Sequence, residues 1–134
     1  MKTVTVCLAA ALLGIGALVA RADHHLTPET VVIGPVRCFI VRVQSAEGTP
    51  HQRVNQVHDV FAKHLGGRYG AFTNRAVGSR THIYLNGDFV IAVWQADATA
   101  TGYKSTAQLA SVWTSRLRAA FAAGHGGSVA PAIP

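Results

Sequence analysis

The dipeptide Asn86-Gly87, set between the runs THIYL and DFVIAVW, limits what this chain can fold into more than any other feature. A type I′ turn needs positive φ at both central residues, which Asn and Gly accept at low cost, so the two runs are predicted to pair as a β-hairpin. A two-residue loop sets the register, with Tyr84 opposite Phe89, Ile83 opposite Val90 and His82 opposite Ile91. Tyr84, Phe89, Ile91 and Val93 then share one face, and Ile83, Leu85, Val90, Ala92 and Trp94 the other. Both faces would be apolar.

A loop, QADATATGYK, leads from the hairpin to a helix. Ser105 and Gln108 fit an S-x-x-Q capping box, and Leu109, Val112, Trp113, Leu117, Ala120 and Phe121 recur at helical spacing as one stripe. Ser111, Thr114, Ser115 and Arg118 fall on the opposite side, so one face of this helix is expected to be buried.

The same order of signals occurs upstream. Val31 to Ile33, the Gly34-Pro35 break and Val36 to Val43 read as two strands joined by a tight turn. After the loop Gln44 to Gly48, Thr49-Pro50-His51-Gln52 forms a T-x-x-Q capping box with proline at the first helical position. Val54, Val57, Phe61 and Leu65 supply the stripe, and Gly66-Gly67 ends it. Aligning VRVQSAEG…TPHQ with IAVWQADA…STAQ gives a ββα-ββα internal repeat, each copy carrying an acidic residue in its loop. One hairpin and one helix cannot enclose a core. Two copies can, so the expected fold is α+β, an antiparallel sheet of four or five strands with two helices on one face. The fifth strand would come from Tyr69 to Thr73 or Arg75 to Val77, at an edge where arginines discourage further pairing.

Residues 1–22 read as a secretory signal: Lys2, an apolar run from Val4 to Ala20, and the small-x-small site Ala20-Arg21-Ala22. The remaining organisation is a flexible arm over 23–30, one α+β domain over 31–121, and a tail over 122–134 that is expected to be disordered. Setting Lys2 and Arg21 aside, 12 basic residues become 10 against 6 acidic ones. That mild excess, on an exported chain, argues against nucleic acid as a partner and suits solubility or attraction to an anionic surface. Cys38, within VRCFIVRV, would be the only cysteine after cleavage. It either lies buried in a strand or pairs between chains.

TVVIGPVRCFIVRV, TPHQRV, IYLNGDFVIAV with the following ADA, and AQLASVWTSRLRAAF resemble the extracytoplasmic amino-terminal domain of some bacterial small-conductance mechanosensitive channel relatives, and similar exported bacterial domains. The resemblance covers most of the chain after the leader and implies the fold and an accessory, non-catalytic role. Trp94-Gln95 depart from the small polar residues usual there, and no membrane span follows the domain in the sequence, so a channel is not expected.

No catalytic constellation emerges from the residues. His51, His58 and His64 on the first helix lack the four-residue spacing that puts two ligands on one face, there is no G-x-S-x-G, and Cys38 is mid-strand. Asp88 is a hairpin residue, and Asp97 fits an Asx-turn. No catalytic residue or cofactor is expected. The expected role is therefore a periplasmic or secreted binding or accessory module of the bacterial cell envelope. The hairpin face of Ile83, Val90 and Trp94 is the candidate surface for a protein partner or a second copy. An alternative role lies in the mature terminus Asp23-His24-His25, where an α-amine, two amide nitrogens and the His25 imidazole fit the square plane of Cu(II) or Ni(II), with His24 as a further imidazole.

Overall fold

The computed structural model describes residues 27–124. Asp23, His24, His25, the leader and the tail from His125 lie outside the described residues. In chain order the elements are β1 (Glu29–Ile33), β2 (Val36–Val41), α1 (Pro50–His64), β3 (Phe72–Val77), β4 (Arg80–Leu85), β5 (Asp88–Val93), α2 (Gln95–Thr101) and α3 (Thr106–Gly124). The fold is α+β. No helix among the described residues is long and apolar enough to cross a membrane.

Both sequence-marked hairpins form. Asn86 and Gly87 take φ of 52° and 85°, as a type I′ turn requires, and Gly34 takes +55° ahead of Pro35. Both helix starts are also where the capping residues place them. Thr49 accepts from the Gln52 N–H while the Gln52 side chain accepts from the Thr49 N–H, and Ser105 Oγ accepts from the Gln108 N–H at 3.2 Å.

The strands do not form the single sheet of four or five strands expected from the sequence. They make two antiparallel sheets, β1-β2 and β3-β4-β5, with β3 as a largely exposed edge strand. The reason lies along β5. Its outer backbone groups are taken by side chains instead of a strand: Gln56 donates to the Phe89 carbonyl, Arg53 to the Ala92 carbonyl, and the Ala92 N–H donates to Glu47. An edge with most of its outward donors and acceptors taken this way has little to offer a neighbouring strand.

A second correction concerns register. Tyr84 pairs with Phe89 as expected, but Ile83 pairs with Ile91 and His82 with Ala92, because Val90 is the extra residue of a β-bulge. A bulge turns two successive side chains toward one side. Val90 and Ile91 both point into the core, with Ile83 and Leu85 beside them, and all four are fully buried. The hairpin face of Ile83, Val90 and Trp94 offered as a partner surface is therefore not assembled. Two of its three residues are core, and only Trp94 is partly exposed.

The first hairpin repeats this geometry. Val31 pairs with Phe39 and Val32 with Arg37, leaving Cys38 as the extra residue. In both hairpins a two-residue turn is followed by two paired residues and then a buried bulge. Counting from the turns, Val36 corresponds to Asp88, Cys38 to Val90, Ile40 to Ala92 and Arg42 to Trp94.

The core lies between the hairpins and the long helices. α1 packs on β1 and β5, and α3 reaches from β2 across the three-stranded sheet. Phe39 and Trp113 stack with ring centroids 4.1 Å apart and planes within 4°. Phe61, Phe72 and Phe121 form a second aromatic group at edge-to-face or tilted angles. Thr114, placed by periodicity on the outer side of α3, is instead buried and donates to Asn74 Oδ1 of β3 at 2.8 Å. QADATATGYK is not wholly loop either: α2 is a two-turn helix closed by Gly102 in the left-handed conformation.

Candidate functional site

The most concentrated polar chemistry is buried between α1, β5 and α2. Arg53 occupies the apolar side of α1, four residues before Val57, and its side chain is fully buried. Nη1 donates to Asp97 Oδ1 (3.0 Å) and to the Val43 carbonyl (2.8 Å); Nη2 donates to Asp97 Oδ2 (2.7 Å) and to the Ala92 carbonyl (2.8 Å). Arg53 Nε has no hydrogen-bond partner, but Glu47 Oε2 lies 3.4 Å from it. Asp97 also accepts from the Trp94 N–H at 2.9 Å, which caps α2. Glu47 takes the Ala92 N–H through Oε1 (3.0 Å) and the Trp94 indole N–H through Oε2 (2.9 Å). This planar fork gripping a carboxylate, with backbone carbonyls on its remaining donors, is the geometry in which a buried arginine is tolerated. With Arg53 and Asp97 both sealed from solvent, the cluster is a clamp that joins three segments.

Open chemistry lies across the molecule, where α3 meets β2. A cleft of about 300 Å³ is lined by Thr30, Arg37, Phe39, Ile40 and Arg42 from the first hairpin, Tyr103 before α3, and Leu109, Val112, Trp113 and Arg116 from α3. The stacked Phe39 and Trp113, together with Leu109, are buried and make its floor. Arg37 and Arg42 are exposed at its rim, and among the described residues no acidic side chain lines it. Arg116 is oriented by donating to the Cys38 carbonyl at 3.0 Å. Cys38 touches the cleft but is fully buried, and burial pushes its thiol up to about 11, against smaller opposing pulls from the Ile33 backbone and Arg116. It is a packed thiol and not a nucleophile.

The side of the three-stranded sheet facing away from the helices is neither apolar nor bare. Arg80 stacks over Trp94 (4.6 Å to the centroid) and Arg75 over Tyr84 (5.5 Å). His82 meets Phe89 edge-on at 5.1 Å. Arg80 Nε donates to His82 Nε2 at 3.0 Å, which places the ring proton on Nδ1, facing Tyr84 Oη at 3.2 Å. Burial, then the Arg80 charge, hold this imidazole below its ordinary range, with Glu47 pulling weakly the other way.

Of the histidines on α1, His58 is half-buried with no hydrogen-bond partner for its Nε2 among the described residues, and His51 and His64 make surface links. His51 Nδ1 pairs with Glu29 at 2.8 Å, and His64 Nε2 pairs with Asp88 at 2.6 Å beside Lys63 at 2.8 Å. Among the described residues no group of three or more His, Cys, Asp or Glu is placed to hold a metal. The proposed Asp23-His24-His25 copper site falls outside those residues.

Sequence reasoning passed over the clamp and the cleft. Arg53 was detectable as a charge on an otherwise apolar helix stripe, with an acidic residue available in each of the two corresponding loops. The cleft left no such mark, because its arginines come from two segments far apart in the chain. No protein-family model, curated protein or solved structure matches this chain.

Proposed function

We propose that this protein is an exported binding or accessory module of the bacterial cell envelope, and that the cleft between β2 and α3 is where it binds. The observation that carries the reading is the composition of that cleft among the described residues: an aromatic floor, three arginines and no acidic lining residue. Its volume is at the small end for ligand sites, and apolar walls with a few converging polar groups are their usual make-up. Charge at the rim accelerates encounter with an anionic partner, and the apolar floor supplies contact once water is expelled. The secretory leader read from residues 1–22 puts the module outside the cytoplasm. The resemblance to extracytoplasmic channel-associated domains agrees with a role beside other envelope components.

The test is capture from envelope extract by tagged chain, comparing the unaltered protein with an Arg37→Glu, Arg42→Glu variant. Both positions are exposed, so the variant should fold. Species retained by the unaltered chain should be lost by the variant. Equal capture by both would overturn the cleft as the binding site. An intact mass beginning at Asp23 should accompany the exported form, and a mass that includes Met1 to Ala22 would overturn cleavage.

A further inference from the structure

We propose that the cleft binds an acidic peptide segment lying along β2, with a carboxylate accepting from the Ile40 N–H and the Arg42 guanidinium as Glu47 accepts from the Ala92 N–H and the Trp94 indole in the other half. The inference rests on the cleft being the binding site, and adds the chemistry of what it binds.

The argument comes from the matching hairpins. In β5, Phe89 and Ala92 turn backbone groups away from β4: the Phe89 carbonyl accepts from Gln56, and Ala92 is served on both its N–H and its carbonyl. The turn length and bulge position are the same in the first hairpin, so the alternation of inward and outward backbone groups is the same. Arg37 and Ile40 therefore turn the corresponding groups away from β1, and both residues line the cleft.

The two helix side chains that serve the carbonyls in one half have apolar counterparts in the other. Counting from the capping residues Thr49 and Ser105, Arg53 of α1 corresponds to Leu109 of α3, and Gln56 corresponds to Val112. Leucine and valine cannot donate a hydrogen bond. An extended peptide supplies what is missing, alternating N–H donors and carbonyl acceptors along a strand edge, as in strand-addition recognition. The carboxylate is specified by Arg42, the counterpart of Trp94, whose indole N–H donates to Glu47 at 2.9 Å. Arg42 brings a charged donor to that place and has no ion-pair partner among the described residues. A carboxylate completes it.

The experiment is amide chemical-shift mapping of the full chain with acetyl-Val-Glu-Val-Glu-Val-amide as probe. The same peptide with both Glu replaced by Gln serves as control, and digalacturonate as a non-peptide carboxylate. The acidic peptide should shift the Ile40, Arg42 and Tyr103 amides, and the Gln peptide should bind about tenfold or more weakly, as expected for loss of a charged hydrogen bond. Arg42→Gln, an exposed change verified by an unaltered melting curve, should weaken the acidic peptide by a similar factor. Equal binding of both peptides at these amides would overturn the carboxylate assignment while leaving the cleft as the site. Tighter binding of digalacturonate at the same amides would overturn the peptide assignment. Shifts confined to other surfaces would overturn this inference and the cleft reading together.

Discussion

The two places where a long helix meets the outer edge of a hairpin are built on one plan and finished differently. At α1 and β5, a buried arginine and two carboxylates occupy the space and bind the strand edge. At α3 and β2, leucine and valine stand in the corresponding positions and the space remains open, with arginines at its mouth. A polar filling satisfies an edge but demands a complete set of partners, whereas an apolar filling asks little and leaves the edge for something else. The first interface holds the fold together. The second is where the fold has capacity to spare.

The largest test of this contrast is Arg53→Leu, which gives α1 the residue that α3 carries. Asp97 would stay buried without its guanidinium, and the expected loss is about 3–5 kcal/mol in chemical denaturation. A loss under about 1 kcal/mol would mean that the clamp does not hold the halves. Next is Leu109→Ala at the open interface, expected to cost about 2–3 kcal/mol, toward the low end for a buried leucine because the adjoining cleft lets the site relax. A cost equal to that of Arg53→Leu would erase the distinction.

Cys38→Val puts into the first bulge the residue type found in the second. With similar volume and no lost hydrogen bond of strength, stability should change by less than about 1.5 kcal/mol, and a larger drop would show that the bulges are not equivalent. The native thiol should also stay unlabelled by a disulfide reagent until the chain unfolds.

The smallest effect concerns pH at the closed half, where Lys63 and then His64 hydrogen-bond Asp88 and hold its carboxyl below the ordinary range. A depressed folded-state value means that the pair's contribution is present above the unfolded carboxyl's range and fades as pH falls through the folded one. Asp88→Asn should lower stability slightly at neutral pH and not at strongly acidic pH. An equal loss at both ends would remove the ion pairs as its cause.

Much of this architecture was legible in short-range signals. Asn86-Gly87, Gly34-Pro35, Thr49 with Gln52, and Ser105 are local devices whose geometry depends on a few neighbouring residues, and the structure places each as the sequence implies. What the sequence did not show depends on residues far apart. The bulge at Val90 shifts the register by one, which no turn signal reports, and it moved Ile83 and Val90 from a supposed surface into the core. Two sheets formed in place of one because Arg53, Gln56 and Glu47 reach the β5 edge from segments more than thirty residues away. α2 was hidden because seven residues are too few for a periodic stripe and its cap depends on Asp97 being gripped from α1. The cleft is likewise a product of tertiary arrangement, drawing its lining from both ends of the domain.

The bond from Arg116 to the Cys38 carbonyl joins residues 78 positions apart, and it governs when the molecule can form as well as what holds it. The first hairpin has no helix to cover Phe39 until Trp113 and its neighbours exist, so that hairpin must wait for the last helix. Closing so large a loop slows folding and delays the reward for each early contact. A chain of this topology can complete its core only once α3 has been made, so the first hairpin and the last helix are committed to folding together.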